Sequence, residues 1–147
     1  MKRDIEFRGY CPDLGRWIYG DLFHCGSELT EHYTKIEARL AIAEDGIPAH
    51  EVDRKTVGEY SGFKDSNGAK LYEGDICYIY GHDVIRGTVK YYAVMGRWEF
   101  QLEDLKLASQ TVFDGRPIEL YRISQYLIRC GNLHDEYIKQ MAEMKEE

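Results

Sequence analysis

The sequence predicts a mainly β protein: an N-terminal β-hairpin and extended region, then a small β-barrel, then a short C-terminal α-helix. Three observations lead there. Apolar and polar residues alternate with period two in several short runs, the pattern of half-buried strands. Clusters of Gly, Pro, Asn and Asp separate those runs at short intervals, where a chain reverses direction. From Thr56 onward the sequence is rich in Gly, Tyr and β-branched residues, which suit a pleated surface and its tight connections. With 147 residues, 44% of them hydrophobic, the chain has one domain's worth of length and enough apolar matter to stabilise a core without metal or disulfide. Within one compact domain the predicted regions are 1–55 (β-rich), 56–134 (barrel) and 135–147 (helix).

The first strand covers Lys2 to Tyr10, with Ile5, Phe7 and Gly9 on the inner face and charged residues on the other. Pro12, Asp13, Leu14 and Gly15 supply a fixed φ, a side chain able to bond the backbone, and a residue free to adopt positive φ. Trp17, Ile18 and Tyr19 then form the return strand, stopped at Gly20, with Leu22 and Phe23 as its continuation. The stretch 27–45 fits two periods. Leu29, Tyr33, Ile36, Leu40 and Ala43 recur at helical spacing, while Ile36, Ala38, Leu40 and Ile42 alternate as in a strand. Asp45 to Pro48 is a turn, and His50 to Val52 is a short extended piece.

Val57 to Phe63 is extended, and Asp65, Ser66, Asn67 and Gly68 form a turn in which Asn-Gly favours a type I′ hairpin. Glu73, Gly74 and Asp75 lead into the strand Ile76 to Tyr80. Gly81, His82 and Asp83 reverse it, and Val84, Gly87, Val89 and Tyr91 continue in the partner strand. Arg97 to Leu102 adds another, with Trp98 and Phe100 on one face, and Leu120 to Ile128 supplies the last. Strands so short and so closely spaced favour a small barrel or a strongly twisted sheet, since closing the sheet removes exposed edges. Tyr137, Ile138, Met141 and Met144 lie at helical spacing in an amphipathic tail.

The formal net charge of -7 denies the chain the global basic field that dominates non-specific nucleic-acid affinity. The N-terminus has no apolar h-region and no window approaches a membrane span, so a soluble cytoplasmic protein with no membrane partner is expected. Cys11, Cys25, Cys77 and Cys130 form no C-x-x-C pair, so neither a zinc knuckle nor a redox motif is predicted. Cys77 lies in an apolar run and is expected to be buried. Cys11, beside Pro12, is expected to be exposed.

The run from Val52 to Ile76 contains Thr56, Val57 and Gly58 in a T-V-G-x-[FY]-[TS]-G block closed by Gly62. Lys64, Asp65, Asn67 and Gly68 follow in an L-K-D-x-N-G block, and Tyr72, Glu73, Gly74 and Asp75 in an I-Y-E-G-D block. This order resembles the signature of the YopX family of phage and prophage proteins. Ile5 to Gly9, Arg16 to Gly20, and Ile128 to His134 fall in the family's order as well, so the resemblance spans nearly the whole chain. Phe63 stands where the family usually has Leu, Ala69 and Leu71 replace more typical residues, and Arg129 with Cys130 departs from the usual lead to the last glycine. The resemblance implies a mostly β protein of phage or prophage origin, carries over no biochemical activity, and tips Thr34 to Ala43 towards strand. The entry through Glu73, Gly74 and Asp75, followed by a strand, a turn and Gly87, Thr88, Val89, is similar to SH3-like and KOW-type barrels. That analogy specifies fold and not function.

No catalytic constellation is legible. The stretch Gly62 to Lys70 comes nearest to a phosphate loop, but Ala69 precedes Lys70 and the glycine spacing is wrong. Glu73 and Asp75, two apart, would share one side of a strand, yet two carboxylates are fewer oxygen ligands than a hard cation needs. His24 with Cys25, and His134 with Asp135, each lack a second ligand pair. No metal, cofactor or catalytic residue is therefore expected. A Cys nucleophile has too many possible partners in His24, His32, His50 and His82 for one to be selected.

The aromatics are more informative. Twelve Tyr, five Phe and two Trp exceed the needs of one small β core. Tyr78, Tyr80, Tyr91, Tyr92 and Trp98 are the candidate interaction surface, against the plainer reading that they are core and cross-strand pairs. Two functions follow. One is a non-enzymatic module that self-associates and binds a host or phage protein through the barrel face. The other is nucleic-acid binding through a local basic stripe of Lys64, Lys70, Arg86, Lys90 and Arg97. Clustering of those five on one face would favour the second, and scattering the first.

Overall fold

A computed structural model describes residues 4–25, 39–44, 49–103 and 117–145. The chain is mainly β and divides into two compact units, 1–59 and 60–147. Among the described residues every strand pairing is antiparallel.

In the first unit, β1 (Phe7–Cys11) and β2 (Arg16–Cys25) form the expected hairpin, with Gly15 at φ 66 closing the turn. β3 (Arg39–Ala43) pairs with β2, β4 (His50–Glu51) with β3, and the start of β5 (Gly58–Lys64) with β1. Segment 39–43 is thus strand, in line with its alternation, while 26–38 and the turn expected at 45–48 lie outside the described residues. Cys11, Ile18, Leu40, Ile42 and Val52 form the core, flanked by Phe7, Leu22 and Val57.

Four expectations in this unit need correction. Cys11 is fully buried, because β1 turns that side chain towards Ile18 and Val52 before the chain reaches Pro12. Ile5 precedes the strand and is 59% exposed, so it contributes no inner face. Arg8 is buried at 2% exposure, with its guanidinium 4.8 Å from the centroid of the Trp17 ring. A planar cation stacked on an indole tolerates removal from water better than an ammonium does. Finally, Gly20 does not stop β2. The strand runs straight through it, and the reason for glycine is proximity: a Cβ there would collide with the Ala43 carbonyl oxygen of β3.

In the second unit, the later residues of β5 pair with β6 (Lys70–Tyr72). A five-stranded sheet follows, in the order β10-β9-β8-β7-β11. Its members are β7 (Asp75–Ile79), β8 (His82–Tyr92), β9 (Arg97–Leu102), β10 (Ile118–Glu119) and β11 (Leu127–Asn132). The core holds Leu71, Cys77, Ile79, Ile85, Val89, Phe100, Leu102, Leu120, Ile123 and Leu127, so Cys77 is buried as expected. Trp98 packs against it as a half-buried neighbour. Among the described residues no pairing joins β10 to β11, so no closed barrel is formed.

The last strand begins later than predicted. Residues 120–126 form a one-turn helix α1 (Leu120–Ile123) and a 3-10 turn (Ser124–Tyr126) before β11. Helical winding brings Leu120, Ile123 and Leu127 all to the core, whereas strand alternation from Leu120 would have turned Arg122 inwards. His82 and Asp83 belong to β8, and Tyr80 with Gly81 alone makes the reversal. The tail forms α2 (Asp135–Lys145). Among the described residues no helix is long and apolar enough to cross a membrane.

Candidate functional site

The signature residues come first, because their polar chemistry invites a catalytic reading. Thr56 is 1% exposed; its Oγ1 accepts from the Tyr10 amide at 2.8 Å and donates to the Asp53 carbonyl at 2.6 Å. Asp53 in turn accepts from the Lys55 amide at 2.9 Å and caps the 3-10 turn that contains Thr56. Val57 packs on the first unit's core and Gly58 pairs with Arg8. Gly62, at φ 89, sits where the β5–β6 register shifts, so it makes a bulge that an L side chain rarely adopts.

The Asp65 turn differs from the predicted type I′ form. The Gly68 amide donates to the Asp65 carbonyl at 3.1 Å, which places Ser66 and Asn67 at the centre, and Gly68 follows at φ 83. This is the longer loop with a left-handed glycine after the turn. The Asp65 carboxylate selects it: Oδ1 accepts from the Asn67 amide at 2.9 Å and the Ala69 amide at 2.8 Å. Its Oδ2 accepts from the Arg129 amide at 3.0 Å. Lys64 and Lys70 stand opposite each other across this hairpin.

Glu73 and Asp75 do not share a face. Glu73 is exposed in a turn with Gly74 at φ 91, while Asp75 is fully buried and its Oδ2 accepts from the Tyr72 amide at 2.7 Å. Tyr72 is buried against Tyr60, with ring centroids 5.5 Å apart. Near the C-terminal end, Asn132 accepts from the His134 amide at 2.7 Å and Asp135 from the Asn132 amide at 2.9 Å, so these side chains fix the turn that leads into α2. The signature therefore shapes backbone. Among the described residues no three His, Cys, Asp or Glu side chains come together in a metal-binding group.

The Cys77 thiol is fully buried, and burial, reinforced by the negative charge of Asp75, pushes it far above the ordinary range. Cys130 is exposed and donates to the Ile76 carbonyl at 3.4 Å. The side chains of His24 and Cys25, and all of His32, lie outside the described residues. In the first unit an open polar depression is bordered by Glu6, Tyr19, Asp21 and Glu44. Its Glu44 carboxylate is already engaged by the two terminal Arg16 guanidinium nitrogens at 3.1 Å and by the Tyr19 amide at 3.2 Å. The Arg16 hydrogen bonds hold Glu44 below the usual carboxylate range.

The basic stripe separates onto two strand pairs. Lys64 and Lys70 lie on β5 and β6, and the Lys70 ammonium rests 5.2 Å from the Tyr60 ring centroid. Arg86 and Lys90 share one face of β8, with Arg97 beside them on β9. Two carboxylates stand among these three cations. Glu99 pairs with Lys90 in register, and Arg97 bonds Glu99 at 2.8 Å and Glu119 at 2.9 Å.

The aromatic candidates also sort by position. Tyr78 is half-buried opposite Arg86. Tyr80 is 69% exposed, its amide donating to the Tyr126 carbonyl at 2.7 Å. Tyr91 and Trp98 are cross-strand partners with centroids 5.3 Å apart. Tyr91 and Tyr92 remain nearly half exposed, and the hairpin end beyond them carries Val94 at 82% and Met95 at 59% exposure. Sequence reasoning missed Val94 and Met95. The available signal was an aliphatic and a thioether side chain in a tight turn, where polar residues are the rule. Residues 6–121 match the family model described as YopX protein. No curated protein matches the chain.

Proposed function

The chain belongs to the YopX family, and from that premise we propose that it is a non-enzymatic accessory protein of a phage or prophage that works by binding. Its partner is a host or phage protein, or a second copy, engaged through the end of the β8–β9 hairpin in the bacterial cytoplasm. The observation that carries this reading is the cluster of exposed side chains at the end of this hairpin: Val94 and Met95 in its turn, Tyr92 on the face away from the core, and Tyr91 beside Trp98 on the core-facing side, both tyrosines still nearly half exposed. Exposed aromatic side chains supply contact area, and the flexible methionine thioether can adapt to a partner's surface. The sheet is SH3-like in this reading. In support, β7 to β10 follow one another as a meander, and a short helical turn then returns β11 to β7.

The second reading, nucleic-acid binding, draws on Arg86 and Lys90 exposed on one face of β8. The carboxylates of Glu99 and Glu119 and the net charge of -7 weigh against it. The deciding experiment is affinity capture from host lysate with and without nuclease, using wild type and a Val94→Asp/Met95→Asp variant. Nuclease-resistant capture lost in the variant supports the hairpin interface. Capture that vanishes with nuclease favours the second reading, and capture unchanged in the variant removes the hairpin end from consideration.

A further inference from the structure

An edge strand presents alternate N–H and C=O groups that template pairing with another chain. One edge of the five-stranded sheet, β10, has two residues and offers little template; the other, β11, has six. On the side of β11 away from β7, the Leu127 carbonyl accepts from the Ser66 amide at 2.9 Å, and the Arg129 amide donates to Asp65 Oδ2 at 3.0 Å. Two adjacent residues of the β5–β6 turn thus offer one donor and one acceptor, the same couple that a neighbouring antiparallel strand offers. The Arg129 guanidinium adds a contact to the Lys70 carbonyl at 3.4 Å. Asp65 is itself fixed by the Asn67 and Ala69 amides, so the imitation is preorganised.

We propose that the Asp65–Ser66 turn is a strand-imitating cap that keeps the β11 edge from pairing with a second copy of this chain. A second copy is the occupant because identical edges pair about a two-fold axis and close, satisfying both sets of groups at once. This inference is independent of the β8–β9 hairpin interface, since it rests on different residues and a different edge.

The test uses the full chain with two variants. Ser66→Pro removes only the donor to Leu127, at a turn position where proline's φ fits. Asp65→Asn keeps one oxygen for the turn amides and sets an N–H₂ against the Arg129 amide. Hydrogen exchange across residues 127–132 and mass by light scattering are followed over a concentration series. The expected result is about tenfold or faster exchange at Arg129 in Asp65→Asn at low concentration. Both variants then gain mass relative to wild type as concentration rises, with 127–132 protected again. Unchanged exchange at Arg129 in both variants overturns the cap. So does faster exchange with wild-type mass throughout, or association that leaves 127–132 unprotected. If Asp65→Asn fails to fold, the mass and exchange of Ser66→Pro decide alone.

Discussion

The signature segment, Thr56 to Asp75, and the end of the β8–β9 hairpin use their residues in opposite ways. In the first, polar side chains point inwards: Thr56, Asp65 and Asp75 are buried and each bonds backbone amides. In the second, apolar side chains point outwards: Tyr92, Val94 and Met95 are exposed with no core to fill. A polar motif therefore marks a fold here and an apolar turn marks a surface. The physical ground is that a buried polar group must find a partner, and in a β protein the nearest unpaired groups are backbone amides at turns and bulges.

Breaking that comparison starts with Phe100, which lies on the hairpin's inner face and is fully buried. Phe100→Ala is expected to destabilise the fold by about 3–5 kcal/mol in denaturant titration, through lost transfer energy and the cavity left behind. Thr56→Val removes a hydroxyl that serves Tyr10 and Asp53. It should cost about 1–3 kcal/mol by the same measurement, because the Tyr10 amide loses its acceptor, while the Asp53 carbonyl keeps the Thr56 amide. A cost near zero for Thr56→Val would end the view that the signature holds backbone.

Cys77 sharpens the comparison through pH. Its thiol is pushed up in the folded state, so the unfolded chain ionises first as pH rises. The stability contributed is complete below the ordinary thiol range and is lost progressively above it. Denaturant midpoints should fall more steeply on the alkaline side for wild type than for Cys77→Ala. In a Cys25→Ser background, native-state labelling with a maleimide should mark Cys130 and spare Cys11 and Cys77. The smallest stability effect belongs to the hairpin end. Val94→Asp should change unfolding free energy by less than about 0.5 kcal/mol, as exposed substitutions do, while weakening partner capture. A large destabilisation would show that Val94 is part of the packing.

Much of the fold was legible locally. The β1–β2 hairpin followed from Pro12 to Gly15, the β7–β9 meander from alternation in Ile76 to Leu102, and α2 from the spacing of Tyr137, Ile138 and Met141. The site was less so. The sequence does not separate the exposed Tyr91 and Tyr92 from the half-buried Tyr78 and Trp98, because the number of aromatics does not say which side of a sheet is covered.

What the sequence determined by itself was the family, the β class and the positions where the chain reverses. These depend on residue order and on conformational preferences that act over a few residues. Only the tertiary structure decided that Cys11 and Arg8 are buried, that residues 120–126 wind helically to bring Leu120, Ile123 and Leu127 inwards, and that Asp65 reaches Arg129. Each of those depends on a partner distant in sequence. A period of two or 3.6 specifies which residues share a face, but not which face another part of the chain will cover.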